Sequence, residues 1–251
     1  MINEEGNLQF WGISDRGPNG DSCVYKVDGE AEASPSKIFP APDFTPSIAL
    51  ITIRDGKAIV DEVITLKDAE GKEISGLPLA PGEIGATNEF SLSEDFEVLP
   101  YDKNGLDTEG IAVDADGNFW VCDEYGPFLV KFDSEGKELA KYAPSKGLPE
   151  ILAERIPNRG AEGLTITPAG KLVMAMQSVL DVNGDTSKTA LFTRVVVFNP
   201  ETEDVQTFAY PVNTEEYSFT YTQDKSNPII YVTANTEESE LWILDIADAL
   251  K

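Results

Sequence analysis

"LDTEGIAVDADGNFWVCDEYGPFLVKFDSEGK", Leu106–Lys137, decides how the chain is read. Short runs of β-branched and aromatic residues alternate there with "DADGN" and "DSEGK", which supply the Asp, Asn and Gly that tight reversals need. The segment predicts four strands, at 109–114, 118–123, 128–133 and 137–142. Asp114 and Asp116 belong to a hairpin turn. Glu109 and Asp123-Glu124-Tyr125 stand apart, because they sit at strand ends that need no carboxylate.

The same pattern returns further on. "TEGIAVDADGNFWVCDE" (108–124) aligns with "AEGLTITPAGKLVMAMQS" (161–178), and the two Glu-Gly pairs lie 162 − 109 = 53 positions apart. The second unit predicts strands at 162–167, 171–177, 192–198 and 204–210. A third strand-turn-strand copy, "YSFTYTQDKSNPIIYVTAN" (217–235), lacks the Glu-Gly. Repeats built of successive antiparallel strands mark propeller blades. The expected fold is all-β and β-propeller-like, with blades of four antiparallel strands, and residues 1–251 form a single domain. About four blades or partial blades are recognisable. The first lacks an inner strand before Leu8 and the last lacks an outer one, so either one terminus completes the other's blade or the ring is incomplete. Residues 67–106 read as a long ordered insertion. The one clear helix signal is "GLPEILAERI" (147–156), with a further helical turn expected in "DIADALK" at the end.

Composition narrows the chemistry. The 251 residues contain no histidine, which excludes Ser-His-Asp and Cys-His hydrolases, histidine phosphatases and most catalytic zinc sites. The chemistry left is that of carboxylates, Tyr, Lys, Arg, Ser and a hard cation. A net charge of −26 argues against nucleic acid or an anionic membrane as partner. No run is apolar enough to span a membrane. "MINEEGNLQF" is not a signal peptide, so either the protein is cytoplasmic or the sequence is a mature or trimmed one. Cys23 and Cys122 form no disulfide framework or zinc motif, and Cys122 reads as a small core residue.

Three segments carry a resemblance. "GISDRGPNG" (12–20), "DTEGIAVDADGNFWVCDEYGPFLVKFDSEGK" (107–137) and "NRGAEGLTITPAGKLVMAMQS" (158–178) resemble the phytase-like family, named for an esterase-like activity of phytase. The resemblance covers most of the chain in order. It implies a propeller of about six blades in a protein that is usually secreted or periplasmic. The chain lacks the family's export segment and the strand expected before "LQFWGISDRG".

In a propeller the first strand of each blade lines a central channel, and loops at one end converge on it. That geometry brings Asp15, Glu109, Asp123, Glu124, Glu162 and Gln177 to one mouth. Their oxygens are the ligands a divalent cation wants, Ca²⁺ first, and clustered anions need a cation or an arginine to coexist. Of five arginines, Arg16 and Arg159 fall inside the matched motifs and suit an anionic substrate, or else pair with the cluster. Tyr125 either donates a hydrogen bond to substrate or packs. Glu109 and Glu162 are the general-base candidates. "DVNGDTSKT" (181–189) opens like an EF-hand loop but has Thr186 where Gly is required. Three functions remain in play: a metal-dependent hydrolase of phosphoesters or other esters acting on a small substrate, a non-catalytic ligand- or protein-binding propeller, and a lactonase-like propeller enzyme. The oligomeric state is left open.

Overall fold

The computed structural model describes residues 1–26 and 32–212, together with the backbone of 229–233 and 241–245. β1 (Gln9–Ile13) is followed by two short strands, β2 (Gly20–Asp21) and β3 (Ser36–Ile38). β4 (Ser47–Arg54) and β5 (Lys57–Thr65) form a hairpin, and β4 pairs antiparallel with β1. β6 (Phe90–Leu92) runs parallel to β3, so the 67–106 insertion is tied into a small side sheet of order β2-β3-β6.

The second sheet takes its strands in chain order: β7 (Thr108–Val113), β8 (Phe119–Asp123), β9 (Leu129–Phe132) and β10 (Glu138–Pro144), with β11 (Gly147–Leu148) added parallel to β10. The third does the same with β12 (Ala161–Ile166), β13 (Leu172–Met176), β14 (Phe192–Phe198) and β15 (Val205–Pro211). β16 (Ile229–Thr233) and β17 (Leu241–Asp245) make an antiparallel pair. The fold is thus all-β and β-propeller-like, and the eight strands expected from the repeat lie where the sequence puts them. The helix expected at 147–156 is instead β11 and a short 3-10 turn over Glu150–Glu154. Pro149 stands at its head, and its start is extended rather than helical. Apart from the backbone of β16 and Asp245, the third copy (217–235) and the terminal helical turn lie outside the described residues. Among the described residues no helix is long and apolar enough to cross a membrane.

The sheets stack through their side chains. β8, "FWVCD", is buried along its whole length, so its period-2 alternation serves two cores at once. Phe119 and Val121 face the first sheet, with Ile48, Ile64, Val130 and Phe132. Trp11 meets Phe119 edge-on at 4.9 Å between ring centroids. Trp120 and Cys122 face the third sheet, with Leu129, Leu172, Met174, Val196 and Phe198. Each such side chain contributes about 1.5–3 kcal/mol on burial. The hairpins between strands are set by Asp side chains. Asp114 Oδ1 accepts the amides of Asp116 and Asn118, and Asp133 Oδ1 those of Glu135 and Lys137.

The first strands of the second and third sheets, β7 and β12, lie side by side. Gly110 makes this possible, because a Cβ there would stand 2.7 Å from the Leu164 backbone nitrogen and 2.9 Å from Cys122 Sγ. Gly110→Ala should therefore cost about 1–3 kcal/mol, as overpacking of a tight interior does. Chemical denaturation would show it as a lower midpoint with an unchanged slope, and a wild-type midpoint would count against the close approach.

Candidate functional site

Both Glu-Gly pairs are β-bulges. The β7–β8 register steps from Thr108↔Asp123 to Gly110↔Cys122, leaving Glu109 as the extra residue. The β12–β13 register steps from Ala161↔Met176 to Gly163↔Ala175, leaving Glu162 as the extra residue. A bulge re-aims the residue it frees. The bulges lie on adjacent strands, and Glu162 is the strongest charge acting on Glu109. The frame around them repeats as well. The Glu124 amide donates to the Asp107 carbonyl at 2.8 Å, and 53 residues on the Gln177 amide donates to the Gly160 carbonyl at 2.9 Å. Gly160 is a glycine because a Cβ there would run into the Glu124 carbonyl.

Carboxylate oxygens of Asp107, Glu109 and Glu124 all lie within 4.8 Å of one another. Asp107 and Glu124 are buried and Glu109 is half-buried. Glu162 is half-buried, and Glu124 is among the groups that act on its carboxyl. Asp15 is exposed and acts on Glu109 and Glu162 through its charge. Gln177 Oε1 is a buried oxygen with no hydrogen-bond partner among the described residues. Asp123 is fully buried, but both its oxygens are engaged by backbone: Oδ2 accepts the Asp107 amide and Oδ1 the Gly126 amide, each at 2.7 Å.

The positive charge comes from Arg16, in the loop after β1. Its Nη1 pairs with Asp107 Oδ2 at 2.8 Å and donates to Asn158 Oδ1 at 2.6 Å, while Nη2 reaches Asn19 Oδ1 at 3.3 Å. The guanidinium is buried, and three of these bonds hold it as a strut between loops rather than as a free anion receptor. Tyr125, expected at the channel mouth, has no exposed surface. Its hydroxyl donates to the Gly76 carbonyl at 2.7 Å and accepts from Arg16 at 3.4 Å. Arg159 is exposed. The buried arginine of that loop is Arg155, which donates to the carbonyls of Tyr125 and Ala86.

Burial raises the carboxyls of this cluster. Glu109 is pushed up to about 8, by burial first and then by Glu162, Asp107 and Asp15. Asp107 and Glu124 are both raised by burial, but Arg16 pulls Asp107 down while Asp107 pushes Glu124 further up. The proton this pair holds therefore rides on Glu124, and Asp107 stays ionised against Arg16. Glu162 is raised by burial and Asp15. Arg16 is paired with Asp107 and Arg155 bears on Glu124 only through its charge, so among the described residues the rest of the cluster is relieved mainly by protons. A hard cation would relieve it better: Ca²⁺ takes oxygens at about 2.3–2.6 Å, so no two of its ligands stand more than about 5.2 Å apart, a limit the trio meets with all its donors within 4.8 Å.

Sequence reasoning named Glu109, Glu124 and Glu162 but missed Asp107 and Asn158. Asp107 lies two residues before Glu109, yet its counterpart in the repeat is Gly160, so comparing the copies hid it. The EF-hand-like loop spends its first ligand on itself, since Asp181 Oδ1 accepts the amides of Thr186 and Ser187. Cys122 is buried, and burial pushes its thiol well up, as suits a core residue.

The model of the phytase-like family, described as esterase-like activity of phytase, matches residues 2–234. A curated relative from Arthroderma benhamiae, called an uncharacterized secreted protein, is 29% identical over 220 residues, covering 71% of this chain and 41% of the relative. The chain thus spans less than half the length of that relative. Among solved structures, a virginiamycin B lyase from Staphylococcus aureus is 13% identical with a TM-score of 0.31, over 82% of this chain and 75% of that one. A luciferin-regenerating enzyme is 15% identical with a TM-score of 0.31, over 76% and 63%. Similarity of that degree says nothing about chemistry.

Glu109 has a folded-state pKa above its unfolded value. Its contribution to stability is complete below about 4.3 and is lost as pH rises through about 8. Cation-free protein should therefore lose Tm as pH is raised from about 6 to about 9, and Glu109→Gln should flatten that fall. A Tm that holds or rises across this window would contradict the raised carboxyls. Arg16→Met removes the ion-pair partner of buried Asp107 and should cost about 3–5 kcal/mol by chemical denaturation. Adding Asp107→Asn should recover part of it.

Proposed function

Because the chain belongs to the phytase-like family, we propose that it is a cation-assisted hydrolase of phosphoesters or other esters, working at the Asp107–Glu109–Glu124 cluster. The observation that carries the reading is the convergence of those three carboxylates at the bulged end of β7, beside a second bulged glutamate, Glu162. Asp107, Glu109 and Glu124 would hold the cation, Ca²⁺ by preference for an all-oxygen set, with Asp15 and Gln177 at the margin. When bound, it supplies Lewis-acid polarisation of the scissile phosphoryl or carbonyl oxygen. Asp123 is left out of the ligand set because backbone amides engage both its oxygens.

The chain's own residues do the rest. Glu162, its carboxyl raised by burial, accepts a proton from the attacking water and returns it to the leaving alkoxide. Arg16 keeps Asp107 ionised and fixed in place. Arg159, exposed beside the Gly160–Glu162 segment, is the arginine free to meet an anionic substrate. With a net charge of −26, a substrate anion is repelled at long range, so the cation and Arg159 set the local sign. The substrate is a small ester or phosphoester. The relative from Arthroderma benhamiae supports a secreted location, and residues 1–251 are read as one domain.

Ca²⁺, Mn²⁺ or Mg²⁺ should raise the Tm of the wild type and not that of Glu109→Gln. Turnover of p-nitrophenyl phosphate, p-nitrophenyl acetate or phytate should stop with a chelator and fall about 10²–10⁴-fold in Glu162→Gln. Turnover of a lactone alone would transfer the site to lactonase chemistry. No turnover of any of them with cation present would make it a binding site.

A further inference from the structure

Asp123 is the one member of the acidic group that is fully buried and faces backbone. The two amides it holds bracket the cluster. One belongs to Asp107 itself, and the other to Gly126, two residues beyond Glu124. With the Glu124 amide bonded to the Asp107 carbonyl, the end of β8 and the residues before β7 are laced together at two points, while the Gly126 bond closes the turn after β8.

The third sheet shows that the fold does not need this lacing. It has the same bulge and the same amide-to-carbonyl bond, from Gln177 to Gly160, yet Met176 stands where Asp123 stands. A second difference follows through the register. Val121 pairs with Val130 and Val130 with Lys141, whereas Met174 pairs with Val196 and Val196 with Thr207. Lys141 lies over the Phe128 ring at 3.9 Å, and its charge opposes the effect of burial on Asp123. A buried acid and an accompanying lysine thus occur in the sheet that carries the carboxylate trio. Its sister, with Gly160 in place of Asp107 and Gln177 in place of Glu124, has methionine and threonine instead.

We propose that Asp123 is a positioning residue, which fixes Asp107 against Glu124 so that their oxygens and that of Glu109 converge on one cation. The inference rests on the cation-binding reading of the trio. It assigns Asp123 no contact with the cation or the substrate.

The test uses isothermal titration of the full chain with Ca²⁺ and, separately, with Mg²⁺. The variants are Asp123→Met, which copies the sister sheet, and Asp123→Asn, which keeps one acceptor oxygen. Loss of an outer partner of a metal ligand typically weakens binding about 10–100-fold. Asp123→Met should fall in that range for Ca²⁺, with Asp123→Asn losing less. The ratio of Ca²⁺ to Mg²⁺ affinity should also move, which a general loss of stability would not produce. Wild-type affinity and ratio in folded Asp123→Met would overturn the inference while leaving the trio as a cation site. If Asp123→Met does not fold, Asp123→Asn decides by the same measure. A wild type that binds neither cation removes the cation reading, and the inference with it.

Discussion

The site depends on how closely two strands pack. β7 and β12 approach until Gly110 touches the backbone of Leu164, and nothing larger fits. Each strand carries its bulge near the same end, so the contact that joins two sheets also sets Glu109 beside Glu162. Position follows from packing here, and charge follows from position. The carboxyls are raised because this packing removes water from around them before it brings them any partner.

Two guanidinium groups, Arg16 and Arg155, cannot neutralise several buried carboxylates. Arg16 commits to Asp107, and the remaining groups relieve their repulsion by holding protons or by taking a cation. Such a cluster is poor as a stabilising device, since buried charges contribute little even when well paired. Its cost is concentrated where function would use it, as with other sites that depart from the rules governing the rest of a fold. Elsewhere the chain is conventional. Asp114 and Asp133 tie off hairpins, and apolar residues alternate on both faces of β8.

Much of this was legible in the sequence. The two four-stranded units could be read because strand periodicity and Asp-Gly turns are local signals, and the 53-residue offset aligned them. Glu109 and Glu162 stood out for the same reason. Asp107 did not, because its role comes from an arginine 91 residues earlier in the chain, and no local pattern encodes that pairing. For Tyr125 and Arg16 the sequence leaves two readings open, a ligand contact or a structural one, and the loop at Gly76 and the residues Asn19 and Asn158 supply structural partners for them. The helix signal at 147–156 lost to β11 and the extended backbone at Pro149 and Arg155.

Arg16 has a temporal consequence as well as a spatial one. Its partners Asp107 and Asn158 lie 91 and 142 residues away, on the loops that lead into two different sheets. Each sheet can form from neighbouring hairpins, but this guanidinium finds its place only after three distant segments have docked. Contacts of such separation carry the entropy of closing large loops and form late. The carboxylates are thus brought together only when these segments dock, so a partly opened chain leaves their charge in water.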